Sequence, residues 1–104
     1  MRHSKYNAIK TIVDGITFDS KHEAERYREL RMLELCGKIS SLELQPRFDV
    51  IVNGIKVCRY YADFRYIDGD GAIVVEDAKG VKTAVYRLKK RLVKAIYGID
   101  IVEV

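Results

Sequence analysis

Along this chain the spacing of apolar residues moves between a period near two and a period near 3.6, and the changes mark its elements. Thr11-Ile12-Val13 and Ile16-Thr17-Phe18 flank Asp14-Gly15, a pair that accepts positive φ at both turn positions and so predicts a hairpin. Asp19-Ser20-Lys21-His22-Glu23 then opens a helix, with Ser20 and Glu23 at the spacing of a capping box. Ala24, Tyr27, Leu30 and the Met32-Leu33 and Leu35-Cys36 pairs supply the apolar face of that helix. Glu25, Arg26, Arg28, Glu29, Arg31 and Glu34 supply its wet face, and Gly37 is placed to end it.

From Ile39 onward the pattern is β-like. Ile39 to Leu44 reads as a short strand or an extended connector, interrupted by Gln45-Pro46 because proline has no N–H for a ladder. Phe48 to Val52 reads as a strand, Asn53-Gly54 as a second hairpin turn, and Ile55 to Ile67 as one long returning strand. Asp68-Gly69-Asp70-Gly71 turns the chain into a further strand, Ala72 to Ala78. After Gly80, Thr83 is placed to cap a second helix over Ala84 to Tyr97, with Val85, Leu88, Leu92, Val93 and Ile96 on one face. Gly98 ends it, and Ile99 to Val104 alternates as a final strand. Beyond the N-terminal hairpin the predicted order is αβββαβ, an α/β arrangement.

Composition narrows the class. A chain of 104 residues is expected to form a single domain spanning 1–104, with residues 1–10 as a basic N-terminal arm. An apolar content of 48% argues against intrinsic disorder. The net charge of +4 favours a polyanionic partner. Cys36 and Cys58 form no CxxC pair and have no histidine at zinc-ligand spacing, so they read as reduced thiols of a cytosolic protein. No apolar stretch approaches the ~20 residues that span a bilayer, and Met1 to Lys5 lacks a hydrophobic signal core. The expectation is a soluble cytoplasmic protein with no membrane partner.

The residues with chemical potential gather at Val74-Val75-Glu76-Asp77-Ala78-Lys79-Gly80. In a strand, Asp77 and Lys79 share a face and Glu76 points away, although a bulge would reverse that choice. If the run carrying Asp63 pairs with this one, two carboxylates and an ammonium converge. Two carboxylates from neighbouring strands suit a divalent cation such as Mg²⁺, the Ala78 carbonyl offers a third oxygen, and Lys79 can position a water or face a phosphate. A cross-strand salt bridge is the plainer explanation of the same residues.

These residues carry a resemblance. Asp63 within Tyr61-Ala62-Asp63-Phe64, the Asp77-Ala78-Lys79 triplet and the element order resemble the PD-(D/E)XK nuclease superfamily. More narrowly, Phe18 to Ala24, Leu44-Gln45-Pro46 and Val75 to Gly80 are similar to a small family of phage-encoded endonucleases often compared with Holliday-junction resolvases. The resemblance implies a restriction-endonuclease-like αβββαβ core with a mixed sheet flanked by helices. It also implies DNA cleavage dependent on Mg²⁺, for which Mn²⁺ can substitute, and phage or prophage origin. A metal-site acid on the first helix maps to Glu23, with Glu25 as the fallback. Ala62 departs from the motif, where a proline would precede the first acid.

Nucleic acid is expected along the second helix, where Lys82, Arg87, Lys90, Arg91 and Lys94 lie in a stretch free of acids. Thr83 at the helix N-terminus and Tyr86 one turn inside are further candidates, as are Arg2 and Lys5 on the arm and Gln45 before Pro46. The functional expectation is a DNA endonuclease, nicking or selective for branched DNA, and a homodimer if the substrate is a junction. The competing readings are a non-catalytic nucleic-acid-binding module of the same fold, and a basic interaction protein whose charge serves solubility.

Overall fold

Asp14-Gly15 and Asn53-Gly54 both form tight turns with positive φ at each position, 52° and 75° in the first and 51° and 75° in the second. They close two antiparallel hairpins, β1 (Thr11–Val13) with β2 (Ile16–Phe18) and, further along, two strands of a longer ribbon. The computed structural model describes residues 9–78 and 82–104. Helix α1 (Lys21–Leu35) starts where expected, with the Ser20 hydroxyl accepting the Glu23 amide at 3.1 Å.

Then follow β3 (Ser40–Leu44), β4 (Arg47–Val52), β5 (Ile55–Tyr61), β6 (Phe64–Ile67) and β7 (Ile73–Asp77). Helix α2 (Ala84–Tyr97) and β8 (Ile101–Glu103) complete the order. Helix α2 has the boundaries the sequence predicts. Thr83 is its N-cap, and Gly98 ends it in the left-handed conformation that glycine adopts without a Cβ clash.

The main sheet runs β3-β6-β7-β8, antiparallel except for the parallel β7–β8 pair, so it is mixed. The expected single strand from Ile55 to Ile67 is in fact two. β5 pairs with β4, whereas β6 crosses into the main sheet between β3 and β7. The crossing is at Ala62-Asp63, opposite the break at Gln45-Pro46. The Ala62 amide donates to the Pro46 carbonyl, and the Gln45 amide to the Asp63 carbonyl. Gln45 itself sits at φ 51°. A proline break in one strand bends both, so β3–β4 and β5–β6 form one ribbon folded at a corner. Apolar alternation continues unbroken through Tyr60 to Ile67 and carries no sign of that corner. Within the main sheet the order after α1 is β3, β6, β7, α2, β8, with the β4–β5 ribbon as an excursion.

Two apolar clusters cover opposite faces of this sheet. Phe18, Ala24, Tyr27, Leu30, Ile39, Phe64 and Tyr66 join α1 to one face. Phe48, Tyr60, Ala62, Val75, Tyr86, Val93 and Ile101 join α2 and the β4–β5 ribbon to the other. Fully buried side chains such as Leu30, Phe64 and Val93 each contribute roughly 1.5–3 kcal/mol relative to exposure. Two expected apolar faces are only partly buried. Met32, Leu33 and Leu35 at the end of α1 are exposed, and on α2 Val93 is buried while Val85, Leu88 and Ile96 are exposed. Among the described residues, no helix is long and apolar enough to cross a membrane.

Candidate functional site

The end of β7 presents two adjacent acids to opposite faces of the sheet. Glu76 lies on the α1 face. It accepts two hydrogen bonds from the Arg26 guanidinium, at 2.7 and 2.6 Å, and a third from the Tyr66 hydroxyl. The Glu76 bond holds the Arg26 guanidinium well above its ordinary range, against burial. Burial pushes the Tyr66 phenol up to about 12, with the Glu76 bond adding to it. Arg26, expected on the wet face of α1, is therefore turned inward. A carboxylate buried in an apolar strand requires a partner such as a cation, and Arg26 supplies it.

Asp77 lies on the other face and is fully buried, and the Tyr60 hydroxyl donates to its Oδ2. Asp63 precedes β6, whose first residue Phe64 pairs with Glu76, and the Asp63 amide donates to the Glu76 carbonyl at 3.0 Å. The corner thus brings Asp63 beside Asp77. One Asp63 oxygen accepts the Ala78 amide at 2.7 Å. Both carboxylates bear on the same two phenols. The Tyr60 hydroxyl is pushed up by burial first, then by Asp77, with smaller contributions from Tyr86 and Asp63. The Tyr86 hydroxyl is pushed up by burial, then Glu103, with Asp77 and Asp63 adding. The two rings are 6.2 Å apart between centroids. Alternation in β7 therefore holds through Asp77: it faces the Asp63 side and Glu76 faces away.

Glu23 is buried in the first turn of α1, one turn before Arg26. Its neighbour His22 contacts the Val104 carbonyl through Nε2 at 2.7 Å, and the Val104 amide donates to the Asp77 carbonyl at 3.1 Å. The start of α1 therefore lies at the carboxyl end of β7. Glu25 is exposed. Among the described residues, no group of three or more His, Cys, Asp or Glu side chains is arranged to hold a metal ion. Lys79, Arg2 and Lys5 lie outside the described residues.

The basic residues of α2 line a groove of about 610 Å³ beside the edge strand β8. Lys82, Arg87, Lys90, Arg91 and Lys94 form its rim, with Ala95, Ile99 and Ile101 among its apolar lining. The stretch is free of acids in sequence but not in space. Glu103 comes from β8 to within 3.5 Å of Lys82 and 3.4 Å of Lys90, and Lys94 pairs with Asp100 at 2.8 Å. The Tyr86 bond holds the Glu103 carboxyl below the ordinary range, against burial and with help from Lys90 and Lys82. Tyr86 is buried, with its hydroxyl donating to Glu103 at 2.9 Å. The Thr83 hydroxyl accepts the Tyr86 amide at 3.1 Å as a helix cap. Gln45 is exposed at the ribbon corner.

Tyr60 and Glu103 are the site residues that sequence reasoning missed. Neither residue belongs to a motif, and Tyr60 lies in a β-like run where a tyrosine is ordinary. Glu103 is the register partner of Asp77 across the parallel β7–β8 pair, a relation visible only once the sheet order is known. In comparisons with known proteins, neither the curated proteins nor the solved structures contain a match to this chain. A family model described as "Protein of unknown function (DUF1064)" matches residues 3–101, and the chain belongs to that family.

Proposed function

We propose that this chain is a metal-dependent DNA endonuclease of the PD-(D/E)XK kind. The observation that supports this most is the meeting of Asp63 and Asp77 on one face at the carboxyl end of β7, beside a basic groove. Sites of open α/β sheets gather at such strand ends. The donor set suits a hard cation: two carboxylates and the Ala78 carbonyl are all oxygen, and Mg²⁺ retains several waters. When bound, Mg²⁺ supplies positive charge against the phosphate and a more acidic water.

The protein's own residues supply the rest. Asp63 and Asp77 would hold the ion, and Tyr60 fixes the Asp77 carboxylate through its hydroxyl. Lys79, by its place two residues beyond Asp77, positions the water or faces the phosphate. Glu23 supports the site from the start of α1. Arg87 and Arg91, both exposed on the groove rim, contact the backbone of the DNA.

The test is cleavage of end-labelled duplex, single-stranded and four-way-junction DNA with EDTA, Mg²⁺ or Mn²⁺. Product is expected only with metal. Asp77→Asn keeps an acceptor for Tyr60 and is expected to lower cleavage at least ~100-fold, about 2.7 kcal/mol of barrier, with DNA binding retained. Binding to all three substrates without metal-dependent product would instead favour the non-catalytic module.

A further inference from the structure

Glu103 places an anion inside the basic groove. Its Oε1 lies 3.5 Å from the Lys82 ammonium, and its Oε2 lies 3.4 Å from that of Lys90. The Tyr86 hydroxyl donates to Oε2 at 2.9 Å. Tyr86 is buried on the core side of α2, so it holds the carboxylate from a fixed point. The carboxylate keeps a way out, because the Glu103 side chain is 28% exposed. Two cations and a hydroxyl closing on the oxygens of one anion is also how a backbone phosphate is held.

We propose that Lys82 and Lys90 form a subsite for one backbone phosphate of DNA, and that Glu103 occupies this subsite until DNA displaces it. The inference rests on the reading that the groove takes DNA, and not on cleavage. The location fits that reading. Glu103 pairs with Asp77 across the parallel β7–β8 ladder, in which neighbouring strands lie about 4.8 Å apart. The subsite therefore adjoins the corner where Asp63 and Asp77 meet.

Glu103 is a competitor that DNA can outmatch. Ion pairs between exposed side chains are weak, and the Lys82 and Lys90 side chains are 45% and 34% exposed. A phosphate of DNA arrives with its neighbours, which meet Arg87 and Arg91 on the same rim. Contacts made together by one strand reinforce one another. A lone phosphate has no such support and meets the full repulsion of Glu103. The residue thus weakens encounters with anions that do not follow the groove, which is specificity by repulsion.

Fluorescence anisotropy with a labelled duplex of about 20 base pairs, in EDTA and from about 50 to 200 mM salt, reads binding without cleavage. Glu103→Gln keeps an acceptor for the Tyr86 hydroxyl and removes the charge. It is expected to tighten binding ~10-fold at about 100 mM salt and to steepen the dependence of log affinity on log salt by about one, as one more phosphate contact does. Asp100→Asn removes the same charge from the same groove, at a side chain 81% exposed that faces Lys94. It is expected to change binding less than ~3-fold. Adding Lys90→Gln to Glu103→Gln is expected to abolish the gain. If Glu103→Gln fails to fold by circular dichroism, Glu103→Ala carries the measurement. Equal tightening by the Glu103 and Asp100 variants overturns the inference, as does a gain that survives loss of Lys90, or binding by Glu103→Gln equal to wild type. Absence of DNA affinity in every form overturns it together with the DNA reading of the groove. The expected gain in a chain that yields no metal-dependent product upholds it and removes only the endonuclease reading.

Discussion

Glu76 and Asp77 are neighbours in sequence and opposites in use. Glu76 is saturated, with Arg26 bound at both oxygens and Tyr66 donating as well. Its face is packed by α1. Asp77 faces a second carboxylate, a pair of phenols and, one strand away, Glu103 at the end of a basic groove. The same strand thus builds a structural ion pair on one side and a concentration of negative charge on the other. Removing one partner of a buried ion pair strands the other at a large cost, whereas neighbouring carboxylates offer the oxygen donors that a divalent cation takes.

The largest expected effect breaks the structural side. Glu76→Ala strands the Arg26 guanidinium at the sheet, and loss of one partner of such a pair costs about 3–5 kcal/mol. Urea unfolding should show that loss, and adding Arg26→Met should recover part of it. Asp77→Asn should cost far less stability while removing cleavage. The contrast between the two acids fails if Asp77→Asn unfolds the protein and Glu76→Ala does not.

A smaller effect sharpens the other side. Tyr60→Phe removes the hydroxyl that orients Asp77 and keeps the ring that packs against Phe48 and Tyr86. Stability should fall by about 1 kcal/mol, the net worth of one hydrogen bond. Cleavage should slow ~10-fold, with the half-saturating Mg²⁺ concentration raised, as expected when the shell around a metal ligand is disturbed. A rate and a metal dependence both equal to wild type would reduce Tyr60 to packing.

Much of this was legible in the chain. Ser20, Thr83, Gly98 and the two turn dipeptides act over a few residues, and the local chemistry that defines them is written in those residues. Asp63 and Asp77 were legible because a period of two assigns faces within a strand. The corner at Ala62-Asp63 was not, because a strand that changes sheets keeps its alternation. Arg26 was misassigned because a helical wheel cannot show a buried acid arriving from a strand fifty residues away. The exposure of the apolar flank of α2 was not legible for a related reason. Periodicity shows that a face is apolar, but not what covers it.

The smallest effect tests the structural side through pH. The Tyr66 phenol donates to Glu76, and its ionisation is raised from near 10 to about 12 by burial and that bond. A tyrosine whose ionisation is raised on folding contributes stability that is complete below the unfolded value and lost as pH climbs toward the folded one. Wild type should therefore lose stability relative to Tyr66→Phe between pH 10 and about 12, and the difference should be constant at lower pH. Above that window the phenolate would sit beside the Glu76 carboxylate with only Arg26 to offset two negative charges. Paired urea titrations at intervals from about pH 9 to about 11.5 measure the difference directly. A gap between the two proteins that does not change across the window would mean that Tyr66 contributes ring packing alone, leaving Arg26 as the partner that matters to Glu76.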